Sequence, residues 1–76
     1  MRDVIEMIVK ALVDDSENVD IREVERRGAT LIEVRVAPND VGKIIGKQGR
    51  TIRALRSLAR IGGSKKNRRY LLEIVE

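Results

Sequence analysis

The sequence predicts an α+β domain of two layers, a three-stranded sheet with three helices on one of its faces. Three observations lead there. Apolar side chains recur at helical spacing through residues 4–12, two stretches within 19–36 and a third at 70–75 alternate, and a second helical region from Val41 is interrupted by glycines. At 76 residues the chain holds one domain, 1–76.

Each element follows from its residues. Asp3, with Glu6 three positions on, reads as a capping box for a first helix whose stripe is Val4, Ile5, Ile8, Val9 and Leu12. Asp14-Asp15-Ser16 ends it. Val19 and Ile21 open a strand, and Val24 falls out of phase, which predicts a bulge or twist there. Gly28 marks a hairpin turn, after which Ile32, Val34 and Val36 alternate with Glu33 and Arg35 in an antiparallel partner. Pro38 closes that strand, and Asn39 or Asp40 can cap a short helix from Val41 to Ile45. Gly46 to Gly49 breaks it. A further helix starts near Arg50 and is expected to end at Gly62-Gly63, with "GGSKKN" as the loop to the last strand. In that strand Tyr70, Leu72 and Ile74 alternate with Leu71, Glu73 and Val75, so it is expected inside the sheet or under a partner.

Charge is divided along the chain. Residues 1–40 carry six Lys/Arg against ten Asp/Glu, and residues 41–76 carry ten against two, which gives −4 and +8 within the net +4. A basic half beside an acidic one fits a face built for a polyanion, although a mixed solvated surface would show the same balance. There is no cysteine and no histidine, so thiolate metal sites, disulfides and the commonest general base are excluded. Asp14, Asp15, Glu17 and Asp20 match no calcium-loop spacing and read as a polar loop. An enzyme is therefore not expected, nor a cofactor. No apolar run reaches the length of a membrane span or a signal-peptide core, so a cytoplasmic protein without membrane contact is expected.

The chemistry concentrates in "VGKIIGKQGRTI", Val41–Ile52. A glycine inside a helix costs about 1 kcal/mol against alanine, so three in twelve positions ask for a reason. Over Arg50–Ile61 the residues Ile52, Leu55, Leu58 and Ala59 fall on one arc, and Arg50, Arg53, Arg56 and Arg60 on the other. Glycines free a tight turn from Cβ clashes, and the helix that follows offers unpaired N–H groups beside Lys47 and Arg50. A phosphate backbone could lie there; a plain link between two helices would need the same glycines. The stretch is no nucleotide-hydrolase phosphate loop, because only three residues separate Gly42 from Gly46 and Gln48 stands where a hydroxyl is required. The single aromatic residue, Tyr70, argues against folds that stack bases on rings.

"IIGKQGRTI" resembles the KH-domain signature Ile-Gly-x-x-Gly-x-x-Ile, with Ile45, Gly46, Gly49 and Ile52 at its fixed positions. The element order α-β-β-α-α-β resembles the type II KH fold, and the chain length is similar to that of the small bacterial single-KH-domain RNA-binding proteins of the KhpA family. That resemblance implies binding of single-stranded RNA or RNA chaperone activity through the GxxG loop. Gly46, Lys47, Gln48 and Gly49 would hold the sugar-phosphate backbone, Ile44 and Ile45 would offer aliphatic contacts, and Lys43, Arg50 and Arg53 would supply charge. Ile52 would anchor the following helix. It also implies a homodimer, or a heterodimer with a larger KH-containing Jag-type protein, in the control of cell shape and division. Gly42 is not fixed by the motif and would allow close approach of a strand or a base. The short hairpin at Arg26-Arg27-Gly28 leaves little chain to close a groove, so low sequence specificity is expected.

The alternative reading is an interaction module with RNA binding secondary. Ile61 lies at the edge of the apolar arc, and Leu71 and Val75 form a second apolar surface. The simpler expectation is that all three are buried in one small core.

Overall fold

The structure is a computed structural model and describes residues 2–65 and 67–75. Its elements run α1 (Arg2–Leu12), β1 (Asp20–Arg26), β2 (Ala29–Arg35), α2 (Val41–Ile45), α3 (Arg50–Lys65) and β3 (Arg69–Val75). Single 3₁₀ turns occupy Ser16–Asn18, Pro38–Asp40 and Lys47–Gly49. This is the predicted α-β-β-α-α-β order, an α+β arrangement consistent with a KH fold.

The hydrophobic stripe of α1 places Ile5 and Val9 in the core, where both are fully buried beside Ile32, Val34 and Ile44. α1 begins at Arg2, so Asp3 lies within the first turn rather than at the cap, where its charge favours the helix dipole. Glu6 pairs with Lys10 at 3.1 Å across one turn instead of reaching back to a capping position. The position preceding α1, Met1, lies outside the described residues.

β1 and β2 pair antiparallel, residue for residue from Asp20↔Arg35 to Arg26↔Ala29. The bulge expected at Val24 is absent from this register. Val24 is out of phase because it faces the side of the sheet away from the helices, opposite Leu31, which in turn neighbours Leu71 on β3. These three side chains form one apolar row across the open face.

β3 pairs in parallel with β2 at the edge of the order β1-β2-β3. The expectation of a strand inside the sheet is therefore corrected, and β2 is the central strand. Apolar character on both faces of β3 reflects two different burials. Tyr70 and Leu72 pack under α3, while Leu71 joins the open-face row and stays 44% exposed. The one-core expectation for Ile61, Leu71 and Val75 fails with it, since Ile61 is 58% exposed and Val75 is half-buried.

α3 runs through Gly62-Gly63 rather than ending there. Gly63 is a close-approach residue, because a Cβ at that position would sit 2.6 Å from the Arg68 carbonyl oxygen and 2.9 Å from Tyr70 Cδ2. The helix is closed one turn later. Arg68 N–H donates to Gly63 O at 2.8 Å and Asn67 N–H to Ser64 O at 3.2 Å. Asn67 takes the left-handed backbone (φ +58°) that such a Schellman closure uses. Lys66, part of the loop read from the sequence, lies outside the described residues.

Candidate nucleic-acid interface

α2 is only five residues long, and its end is decided by Gly46. The Gly46 N–H donates to Gly42 O at 2.9 Å, after which the backbone leaves the helix at φ 77°, ψ 172°. That region is open essentially to glycine alone. Space forbids a side chain as well, since a Cβ here would lie 2.2 Å from Thr51 Oγ1. The turn closes with Gly49 N–H on Gly46 O at 3.1 Å, with Gln48 at φ 57° and Gly49 at φ 72°. Arg53, one turn into α3, folds back over it. Its Nη2 donates to Gln48 O at 2.8 Å and its Nε to Gly49 O at 3.2 Å. The loop is thus held from both sides, with Lys47, Gln48 and Arg50 exposed on it.

The predicted site residues divide by what they touch. Ile44 is fully enclosed in the core, so it offers no surface to a base, whereas Ile45 is 40% exposed. Ile52 is buried, as its anchoring role requires. Lys43 is engaged within the fold, its Nζ paired with Asp14 and lying 3.4 Å from Asp40. A Cβ on Gly42 would meet nothing within 4 Å, so no strand approaches it and its surface is bare.

Asp40 explains the position of Lys43. It precedes α2 but makes no cap bond to it. Its carboxylate, 2% exposed as a residue, accepts the backbone N–H of Asp14 at 3.2 Å and of Asp15 at 3.0 Å. These donors follow the end of α1, so Asp40 ties that end to the start of α2. The Asp15 N–H first, then that of Asp14 and the Lys43 ammonium, hold its carboxyl below the ordinary value, against the opposing effect of burial. Lys43 is raised, chiefly by its hydrogen bond to Asp14.

Beyond the loop, an open groove of about 870 Å³ runs between α3 and the free edge of β3. Arg56, Arg60 and Ser64 line it from the helix, and Arg68, Arg69 and Leu72 from the strand side. Arg56 Nε donates to the Leu72 carbonyl at 3.3 Å. Sequence reasoning found Arg56 and Arg60 as part of a basic stripe but assigned them no site role. It missed Arg68 and Arg69, for which the signal was the run of basic residues just before β3. Among the described residues no helix is long and apolar enough to cross a membrane. No group of acidic residues among them is placed to hold a metal ion.

A family model described as "KhpA/KhpB, KH domain" matches residues 2–74. The chain is 43% identical over 76 residues to the RNA-binding protein KhpA of Aquifex aeolicus, covering 100% of this chain and 96% of that one. It is 46% identical over 74 residues to the protein of the same name from Borreliella burgdorferi (97% and 90% covered). The corresponding protein of Clostridium perfringens is 39% identical over 75 residues (99% and 100%). No solved structure matches. The expectation that the chain is not an enzyme agrees with relatives named for RNA binding.

Proposed function

The chain belongs to the KhpA/KhpB KH-domain family, and from that premise we propose that it binds single-stranded RNA with low sequence specificity and acts as an RNA chaperone. The observation that carries this reading is the Gly46–Gly49 turn, held by Arg53, which presents Lys47 and Arg50 with no ion-pair partner among the described residues. A preformed, positively charged turn gives a phosphate backbone its contacts without first ordering the loop. In this reading Gly46, Lys47, Gln48 and Gly49 clamp the backbone, Arg50 adds charge and Ile45 gives an aliphatic contact. Arg53 keeps the turn in shape, and Lys43 and Ile44 are engaged within the fold. The strand continues into the basic groove beside β3, toward Arg60 and Arg68. The two-residue connection of the β1–β2 hairpin supports low specificity, because it supplies no flap to enclose a base.

Lys47→Asp/Gln48→Asp puts two carboxylates where phosphates would lie. The double variant should fold with the Tm of the parent and lose RNA binding, measured by fluorescence anisotropy on an oligouridylate. Binding at parental affinity by the folded variant rules out the loop.

A second reading is favoured by the 58% exposure of Ile61. It shares one face of α3 with the exposed Ala54 and Ser57, a charge-free patch on a helix otherwise rich in arginine. Pairing through this patch, with a second copy or with a larger KH-containing Jag-type protein, would add avidity to RNA binding. Such a pair would act in the control of cell shape and division. Sedimentation at micromolar concentration should give about twice 8.6 kDa for a homodimer, and Ile61→Glu should reduce it to one. A monomer at every concentration removes self-association.

A further inference from the structure

Among the described residues β3 has a strand neighbour on one side only. Arg56 reaches over it from α3, its Nε donating to the Leu72 carbonyl at 3.3 Å, and it takes part in none of the ion pairs among the described residues. Arg60, Arg68 and Arg69 line the same groove, and none of them shows a side-chain bond to the main chain among the described residues. Among the described residues Arg56 is the one groove guanidinium anchored to the main chain. A guanidinium has five N–H donors in a rigid fork. With Nε committed to Leu72, the paired donors of Nη1 and Nη2 remain for whatever enters the groove.

We propose that Arg56 reads one base of the bound strand and gives that position a preference for guanine over adenine and uracil. The proposal rests on the RNA-binding reading above and deepens it. Two adjacent donors in a plane require two adjacent acceptors. Guanine supplies them as O6 and N7. Adenine places an amino donor beside N7, and uracil has no second acceptor beside O4; cytosine, whose N3 and O2 are adjacent acceptors on the Watson–Crick edge that a single strand leaves free, is not discriminated by the fork alone. One selective position among several clamped ones is compatible with low specificity overall. Arg56 is a specificity residue here, distinct from the loop residues that position the backbone.

The test uses the intact chain and short oligouridylates with one central guanosine, inosine, 7-deazaguanosine or adenosine, compared by fluorescence anisotropy. Guanosine and inosine, which share O6 and N7, should bind about tenfold tighter than adenosine, toward the low end of what a bidentate contact gives. 7-Deazaguanosine, which lacks N7, should fall to the adenosine level. Arg56→Lys keeps the charge and loses the fork, so it should bind the adenosine oligomer like the parent and show no guanine preference. Equal parental affinity for all four oligomers, or a preference that survives in Arg56→Lys, overturns the proposal while leaving RNA binding in place. If no oligomer binds, the RNA-binding reading fails and the base preference with it. The 7-deazaguanosine comparison needs no variant and decides the matter even if Arg56→Lys does not fold.

Discussion

The guanidinium of Arg53 lies 2.8 Å from the Gln48 carbonyl oxygen, and its Nε also reaches the carbonyl of Gly49. Gln48 sits at φ 57°, in the left-handed region, which costs a non-glycine residue roughly 1–2 kcal/mol. The Arg53 fork offsets part of that cost by donating to two carbonyls of the turn. Arg53 therefore shapes the turn more than it adds charge to it.

Arg53→Lys separates the two contributions. The charge stays, so the slope of log affinity against log salt should not change between about 50 and 200 mM. The two-point hold on the turn is lost, and oligouridylate affinity should drop roughly three- to tenfold, which corresponds to one or two hydrogen bonds. A parallel loss of slope and affinity in anisotropy titrations would mean that Arg53 contacts phosphate directly.

The two motif glycines differ in what they exclude. At Gly46 a Cβ would collide with Thr51, whose backbone nitrogen would be 2.8 Å away, and the backbone is in a glycine-only region. At Gly49 the nearest atom to a Cβ, Ile52 Cγ2, is 3.9 Å off, so only the positive φ opposes a side chain. Gly49→Ala should cost about 1–2 kcal/mol of unfolding free energy. Gly46→Ala should cost about 3 kcal/mol or more, because overpacking adds to backbone strain. Urea denaturation of the two variants gives both figures, and equal losses would contradict the geometry.

Local pattern reports some of these features and misses others. The motif, the element order and the buried stripe of Ile5 and Val9 were legible because period and glycine spacing are local properties. That β3 lies at the sheet edge was not, because alternation in Tyr70–Val75 reports burial on each face and says nothing of the neighbours along the hydrogen-bonding direction. Gly62-Gly63 looked like a stop signal, whereas Gly63 is required by the approach of β3 and Asn67 closes the helix. Asp40 looked like a cap for the helix after it and instead accepts N–H groups from residues 25 and 26 positions earlier. In the site, Lys47 and Arg50 are exposed as read, but the distribution of Lys43, Ile44 and Arg53 among supporting roles depends on contacts across the fold.

The Asp40 bracket makes stability depend on acid pH. Its carboxyl is held below the ordinary 3.8, so the folded state binds the proton less readily than the unfolded chain. Its contribution is complete above the ordinary value and is lost as pH falls through the lowered one. Asp40→Asn should lower Tm at neutral pH, since one amide cannot accept both N–H groups and pair with Lys43. The Tm gap between parent and variant should stay constant from about pH 5 to 8 and narrow below about pH 4. A gap that widens in acid would place the sensitive carboxylate elsewhere.

Gly42 is the glycine the motif leaves without a role, and its surroundings define what it can do. It lies in α2 with ordinary helical backbone, and a Cβ there would meet nothing within 4 Å. On stability alone alanine is the better residue, by up to about 1 kcal/mol. A glycine in that position leaves the helix surface flat one turn before the Gly46–Gly49 turn, where, if RNA lies along that turn as proposed, a base against Ile45 would need the space. Gly42→Ala should therefore raise Tm slightly and weaken RNA binding severalfold, and Gly42→Val should weaken it further. Calorimetry and anisotropy on the same preparations separate the two effects. A variant that is more stable and binds as well as the parent would show that no part of the strand rests on this face of α2.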